Sequence, residues 1–281
     1  MTILIADSGS TKTDWVLCNN GNVTAHIKTQ GLNPTIQSSE EILSVLETEL
    51  AREIAPDAPE RIFFYGAGCA YDNANNRMKK ALACIFPTAE ICINSDLLGA
   101  ARALCGCEEG IACILGTGSN SCLYNGKEIA ENTPSLGYIL GDEGSGAHLG
   151  RQLVSDCIKK QLPKEIREKF LQQYKLDIPS ILERVYHSPL PNRWLGSLTP
   201  FILQHRKNAD IRTMVTNCFV QFFKRNVMVY RHSWLPIHII GGIGISFSEE
   251  IKEAAESLGL SIGNIVESPI EGLVKYHSNN L

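Results

Sequence analysis

Apolar and polar positions along the chain follow two periods. From Ile3 an apolar run reaches Asp7, turns through Gly9, Ser10 and Thr11, passes Lys12 and Thr13, and resumes as "DWVLC". Residues 3 to 18 and 22 to 28 predict strands around "NNGN", a hairpin-turn signal. "SSEEILSVLETELARE" from Ser38 combines a cap, early acids and apolar residues at helical spacing, so it predicts an amphipathic helix. "RIFFYGAG" predicts a buried strand ending in a glycine turn. "AEICINSD" predicts another strand, ending at Asp96, and "LLGAARALC" a helix after it. The first hundred residues therefore alternate strands and helices behind an opening hairpin: an α/β sheet with an antiparallel flank.

The opening then repeats. "GIACILGTGSNSCLYNGKEI" from Gly110 has the same order: apolar strand, turn of Gly, Thr and Ser, and a second strand ending at Asn125-Gly126. Two such copies suggest two related half-domains. After "GDEGSGAHLG" the pattern is mostly helical to about Tyr230, broken at "HSPLPNRW". A strand, "IHIIGGIGISF", leads into the helix "SEEIKEAAESLG", where Ser246 and Glu249 stand at capping-box spacing, and a final short helix is expected near Pro269–Gly272.

Composition narrows the function classes. The chain has 281 residues, 44% hydrophobic and 20% charged, with a formal net charge of -4. That balance offers no basic footprint for nucleic acid. "MTILIADSG" lacks the features of a signal peptide, and no window has the length of a membrane span, so a cytoplasmic enzyme or binding protein is the default expectation. The ten cysteines include no C-x-x-C; the nearest spacing is Cys105-Gly106-Cys107. Cys84, Cys92, Cys113, Cys122 and Cys218 lie in apolar runs and read as reduced, structural thiols.

Lys12-Thr13 after a glycine-bearing turn invites comparison with a Walker phosphate loop, but Thr11 precedes Lys12 and a strand follows it. Any anion here is held by a hairpin turn whose backbone N–H groups converge. Gly9 permits close approach, Ser10, Thr11 and Thr13 add hydroxyls, Lys12 adds a cation, and Asp7 could hold Mg²⁺ through water. The plain alternative is a tight hairpin with Asp7 capping it. "LGTGSN" is a second such turn. "IIGGIG" is a third glycine site; position 247 is Phe, so it lacks a dinucleotide fingerprint. Asp96, between a strand and a helix, is either a helix N-cap or a ligand-facing carboxylate. Asp142 and Glu143 between Gly141 and Gly144 are either sugar-binding groups or the capped start of "GAHLGRQLV".

"DSGSTKTDW", "NSDLLGAARA", "LGTGSN", "GYILGDEGSG" and "IIGGIG", in this order, resemble the actin/hexokinase/Hsp70 superfamily. More closely they resemble its N-acetylglucosamine kinase branch, grouped with the BadF/BadG/BcrA/BcrD ATPases, from Ile3 to about His277. The resemblance implies two ribonuclease-H-like domains, 1–106 plus 268–281 and 107–267, with mixed sheets, flanking helices and a cleft for ATP and Mg²⁺. By the same resemblance Asp7 and Gly9 through Thr13 match the first phosphate loop, and Gly116, Thr117 and Gly118 the second. Gly241 and Gly242 match the adenosine loop, and Asp96 the catalytic aspartate. Asn33, Ser119, Asn120, Gly137 and Asp142 match sugar-contacting positions. Ser8 and Ser10 depart from the glycines common in relatives. The implied activity is ATP-dependent phosphorylation of an amino sugar, N-acetylglucosamine at its 6-hydroxyl first among them, with a homodimer as a family expectation. A competing implication is an ATPase that activates a partner redox enzyme.

Overall fold

The computed structural model describes residues 1–9, 11–54 and 58–279. The chain divides into two compact units: residues 1–109 with 124–129 and 268–281, and residues 110–123 with 130–267.

In the first unit β1 (Thr2–Ser8), β2 (Lys12–Asn19) and β3 (Asn22–Gln30) form an antiparallel meander. The predicted "NNGN" turn forms, with Asn20 at φ 48° and Gly21 at φ 80°, the pair of positive φ values that a two-residue hairpin needs. α1 (Ser39–Val45) follows; the predicted cap is Ser38, which forms a capping box with Glu41. A π-helical segment, Leu46–Leu50, continues into α2 (Ala51–Ile54). Then come β4 (Arg61–Gly66), α3 (Asp72–Ile85), β5 (Glu90–Ser95) and α4 (Asp96–Cys105). β4 pairs in parallel with β1, and β5 with β4, giving the order β3-β2-β1-β4-β5. Alternate residues of β1 feed opposite cores. Leu4 and Ala6 pack with Trp15, Phe64 and the α1 and α3 side, while Ile3 and Ile5 pack with Val16, Tyr65 and Leu273. Each such buried aliphatic side chain is worth about 1.5–3 kcal/mol, so a one-residue slip of β1 is strongly penalised.

The second unit repeats the plan. β6 (Glu109–Leu115), β7 (Ser119–Asn125) and β8 (Ile129–Thr133) precede α5 (Gly137–Leu140) and α6 (Gly146–Ile158). A helical stretch follows: α7 (Lys164–Tyr174), α8 (Ile178–Tyr186), α9 (Pro191–Gly196), α10 (Thr199–Gln204) and α11 (Ala209–Phe222). α11 runs into a π-helical turn, Phe223–Val227. β9 (Ile237–Ile240), α12 (Gly242–Ser246), α13 (Ser248–Ser257) and β10 (Ile262–Val266) complete it, and α14 (Ile270–Asn279) returns to the first unit. The sheet order β8-β7-β6-β9-β10 matches the first sheet strand for strand. The internal repeat is therefore structural.

Two expectations change. Ser246 and Glu249 make no capping box: the chain is already helical from Gly242, so Ser246 ends α12 and lacks the extended backbone of a cap. Phe247 forms the junction instead, fully buried with its ring 6.2 Å from Phe219. All ten cysteines are free, but Cys84 is exposed on α3 rather than buried in its apolar run. No helix among the described residues is long and apolar enough to cross a membrane.

Candidate active site

In the first unit β1, β4 and β5 end in register, with Ser8 opposite Gly66 and Gly66 opposite Ser95. The carboxyl ends of parallel strands are where α/β sheets present ligand groups. Asp7 lies at this edge on β1, and Asp96 one residue beyond β5. Ser95, not Asp96, caps α4: its hydroxyl accepts the Leu98 N–H at 3.2 Å. Asp96 is thus the first residue of the helix. Its Oδ1 accepts the Leu97 N–H at 2.8 Å, and burial raises its pKa against the pull of that bond. Asp7 is pushed up to about 7, first by burial, then by the charges of Asp96 and Asp14, with Lys12 acting the other way. Lys12 Nζ sits 2.8 Å from Asp14 Oδ2. Lys12 opens β2, so the turn is a hairpin and not a Walker loop.

The hydroxyls of the first turn divide. Thr13 is fully buried; its Oγ1 donates to the Gln30 carbonyl and lies 2.7 Å from Ser8 Oγ, which in turn donates to the Leu32 carbonyl. The Thr13 bond ends on the last residue of β3 and the Ser8 bond on the segment after it, so both hydroxyls are engaged within the protein. The Thr11 side is exposed, and a Cβ on Gly9 would meet only the Lys12 carbonyl, at 3.8 Å. Ser10 lies outside the described residues. Asn33 is buried beside this edge, its Oδ1 accepting the Thr35 N–H at 3.0 Å. Gly68, in the turn after β4, has φ 83°, and a Cβ there would come within 2.2 Å of Asn33 Oδ1. Sequence reasoning noted that glycine turn but not that it lets the chain close on Asn33. Arg77 on α3 was also missed; its Nη1 donates to the carbonyls of Pro34 and Gln37 and so holds the Asn33 segment.

A magnesium ion fits this edge on its chemistry. Asp7, Asp14 and Asp96 bring three carboxylates against one lysine, and after burial it is the charges of Asp96 and Asp14 that raise the pKa of Asp7. Mg²⁺ needs only one or two carboxylates and keeps its waters. No group of three or more His, Cys, Asp or Glu side chains forms a metal cage among the described residues.

In the second unit the turn Gly116–Gly118 is fixed from behind. Its carbonyls at Gly116 and Thr117 accept the N–H groups of Gly146 and Ala147 at 2.8 and 3.1 Å. Ser145 caps the same helix by accepting from His148 N at 3.1 Å. The first turn of α6 is therefore saturated, and Asp142 is not its cap. Asp142 Oδ1 instead accepts the Ser119 N–H at 3.2 Å. Its backbone is left-handed, φ 55°, and a Cβ on Gly118 would meet its carboxylate at 3.1 Å. Burial raises the Asp142 pKa, with Ser119 and Arg151 opposing and Glu143 adding. Ser119 and Asn120 stand on β7 beside it; Asn120 Oδ1 accepts from Ser121 N and Asn132 Nδ2. Gly137 is exposed on α5, and the Ser135 carbonyl accepts Asp142 N. His148 is buried and neutral, its pKa lowered to about 4 by burial and then by Arg151, with Nδ1 accepting from Gly144 N.

Gly241 is required by geometry. Its φ is 122°, and a Cβ there would lie 2.3 Å from the Leu115 carbonyl, directly before the 116–118 turn. Gly242 has open space around it, leaving bare backbone for a flat ligand.

No family model and no curated protein matches the chain. A solved structure does: a candidate N-acetylglucosamine kinase of Porphyromonas gingivalis is 45% identical, with 99% of each chain covered and a TM-score of 0.94. The chain belongs to the N-acetylglucosamine kinase-like family. A second candidate N-acetylglucosamine kinase, from Chromobacterium violaceum, is 17% identical with 98% of each chain covered and a TM-score of 0.77. A candidate sugar kinase of Cytophaga hutchinsonii is 14% identical, with 100% of this chain and 99% of that chain covered and a TM-score of 0.54. These two share the actin-like ATPase fold with this N-acetylglucosamine kinase-like protein. Membership makes the protein an ATP-dependent carbohydrate kinase.

Proposed function

We propose that the protein transfers the γ-phosphoryl group of ATP to an amino sugar, N-acetylglucosamine at the 6-hydroxyl, with Asp96 as general base. The observation that carries this reading is Asp96 itself. The cap of α4 is supplied by Ser95, so the Asp96 carboxylate keeps one oxygen outside the helix-start bonding, at the strand edge that also holds Asp7. A sugar hydroxyl is a weak nucleophile. Asp96 accepts its proton as the sugar oxygen bonds to the γ-phosphorus, and the bond from that phosphorus to the β-phosphate oxygen breaks to release ADP. A raised pKa makes Asp96 a better proton acceptor than an ordinary carboxylate, provided it is ionised at working pH.

The first unit contributes the reacting charges. The turn from Gly9 through Thr13, with the hydroxyls of Ser10 and Thr11 and the Lys12 ammonium, receives phosphate, the Gly9 N–H itself closing the hairpin on the Lys12 carbonyl at 3.0 Å; Asp7 holds Mg²⁺ through water, and Asn33 binds a sugar hydroxyl. Bound Mg²⁺ supplies neutralisation of phosphate charge. In the second unit Gly116, Thr117 and Gly118 receive phosphate, Gly241 and Gly242 lie under adenosine, and Ser119, Asn120, Gly137 and Asp142 receive the sugar. Buried carboxylate and amide groups suit sugar hydroxyls because a wrong ligand leaves them unpaired.

The test is a panel of sugars with Mg-ATP, followed by ³¹P–¹H correlation of the product. A single phosphomonoester on O6 of N-acetylglucosamine is expected. A product on another hydroxyl overturns the positional assignment, and no phosphosugar from any amino sugar overturns the reading.

A further inference from the structure

Directly after α11 the backbone widens into the π-helical turn Phe223–Val227. Such turns interrupt helices most often where a side chain has a task that regular geometry does not allow. Here two consecutive residues reach one carboxylate: Arg225 Nε pairs with Glu143 Oε1, and Asn226 Nδ2 donates to Glu143 Oε2 at 3.2 Å. Asn226 is buried, whereas the Arg225 side chain is 63% exposed. Burial pushes the Glu143 pKa up, but its own backbone N–H, the Asn226 amide and Arg225 together hold it below the usual range. Glu143 is thus an anion committed to the π turn rather than a free partner for substrate.

Asn226 also reaches the other side. Its backbone carbonyl accepts the Ser121 hydroxyl at 2.6 Å and the Thr133 hydroxyl at 3.5 Å, on β7 and β8, while its side-chain amide makes the bond to Glu143. Ser121 follows Asn120 directly, and Glu143 follows Asp142 directly. Four residues further on, Tyr230 repeats the link to β7 and β8 through Ser121 Oγ and Thr133 N. One residue therefore bonds both the turn that carries Asp142 and the strand that carries Ser119 and Asn120.

The geometry points to Asn226 as a positioning residue for the acceptor sugar, fixing the Asp142 turn against strand β7 through Glu143 and Ser121, with Arg225 securing the Glu143 charge. This rests on the proposed sugar-binding role of Asp142, Ser119 and Asn120. It predicts that loss of the Asn226 amide harms sugar binding more than ATP binding, because the carbonyls of Gly116 and Thr117 bond the start of α6 and not Asn226.

The experiment measures N-acetylglucosamine binding by calorimetry and, separately, the KM for ATP, in wild type, Asn226→Asp, Arg225→Met and the exchanged pair Glu143→Gln/Asn226→Asp. Asn226→Asp is nearly isosteric and sets two carboxylates together. Losing a buried charge-assisted bond predicts sugar affinity about tenfold or more weaker, with the KM for ATP within about twofold. The exchanged pair restores a donor and an acceptor with polarity reversed, and is expected to recover most of the affinity. Arg225→Met, at a mostly exposed position, gives a smaller loss of the same selectivity and serves if Asn226→Asp does not fold. Unchanged sugar affinity in Asn226→Asp and Arg225→Met, equal losses for sugar and ATP, or no recovery in the exchanged pair overturns the assignment. Wild type that binds the sugar without phosphorylating it overturns the proposed function alone. Wild type that binds no amino sugar overturns both.

Discussion

The two glycine turns occupy the same place in two copies of one sheet plan, yet they are built for different work. The first, between β1 and β2, is charged: Asp7 precedes it, Lys12 and Asp14 follow it, and Asp96 lies at the same edge. The second, between β6 and β7, carries no charge in its own residues. Ile114 stands where the first copy has Asp7, and Ser119 where it has Lys12. It is tied by its carbonyls to α6, and its nearby carboxylate, Asp142, arrives from a separate loop. A shared backbone frame thus supports ionic chemistry in one unit and a rigid hydrogen-bonding surface in the other.

The contrast breaks most sharply at Asp96. Asp96→Asn keeps shape and should lower kcat by about 10²–10⁴-fold with little change in melting temperature, since Ser95 supplies the cap. A similar loss of stability in place of the loss in kcat would make Asp96 structural.

Gly241→Ala is next. It forces a side chain into the left-handed region and against the Leu115 carbonyl, costing about 1–3 kcal/mol for the backbone alone, before the collision is counted. Urea unfolding of the variant measures this, and Gly242→Ala should cost far less because space surrounds it.

The charge difference has a pH signature. Asp7 has a folded pKa of about 7, raised above its unfolded value near 4. Its contribution to stability is therefore fully present below about pH 4 and is lost as pH rises through about 7. Asp7→Asn should then stabilise the ligand-free protein at pH 8 and lose that advantage at low pH, in urea titrations across the range. Added Mg²⁺ should raise the melting temperature of wild type at pH 8 and leave Asp7→Asn unmoved.

The smallest effect concerns the second turn's support. Ser145→Ala removes the α6 cap and should cost about 1 kcal/mol, with its kinetic effect on ATP exceeding that on Asp96-dependent chemistry.

Much of this was legible in the sequence wherever burial imposes a period. β1, β4 and β6 are buried on both faces or nearly so, and the caps at Ser38 and the "NNGN" turn carry local chemistry. The elements beyond the pattern are sheet edges: β8 and β10 hold no fully buried residue, so they show no alternation to read. α3 is rich in Asn and Lys and buries only Ala74, Met78, Ala81 and Leu82 among its residues. Within the site, glycine and hydroxyl clusters marked both turns. The assignment of caps to Ser95 and Ser145 and the closure of Gly68 on Asn33 depend on backbone direction and register, which spacing alone does not encode. Arg225 and Asn226 had no signal because a π turn leaves the helical pattern of α11 intact in the sequence.

The most direct measurement is ADP release from Mg-ATP with and without N-acetylglucosamine, in wild type and Asp96→Asn side by side. Sugar-dependent release that disappears in Asp96→Asn is the expected result. Steady release that ignores every sugar, or sugar-dependent release that survives in Asp96→Asn, would contradict the account.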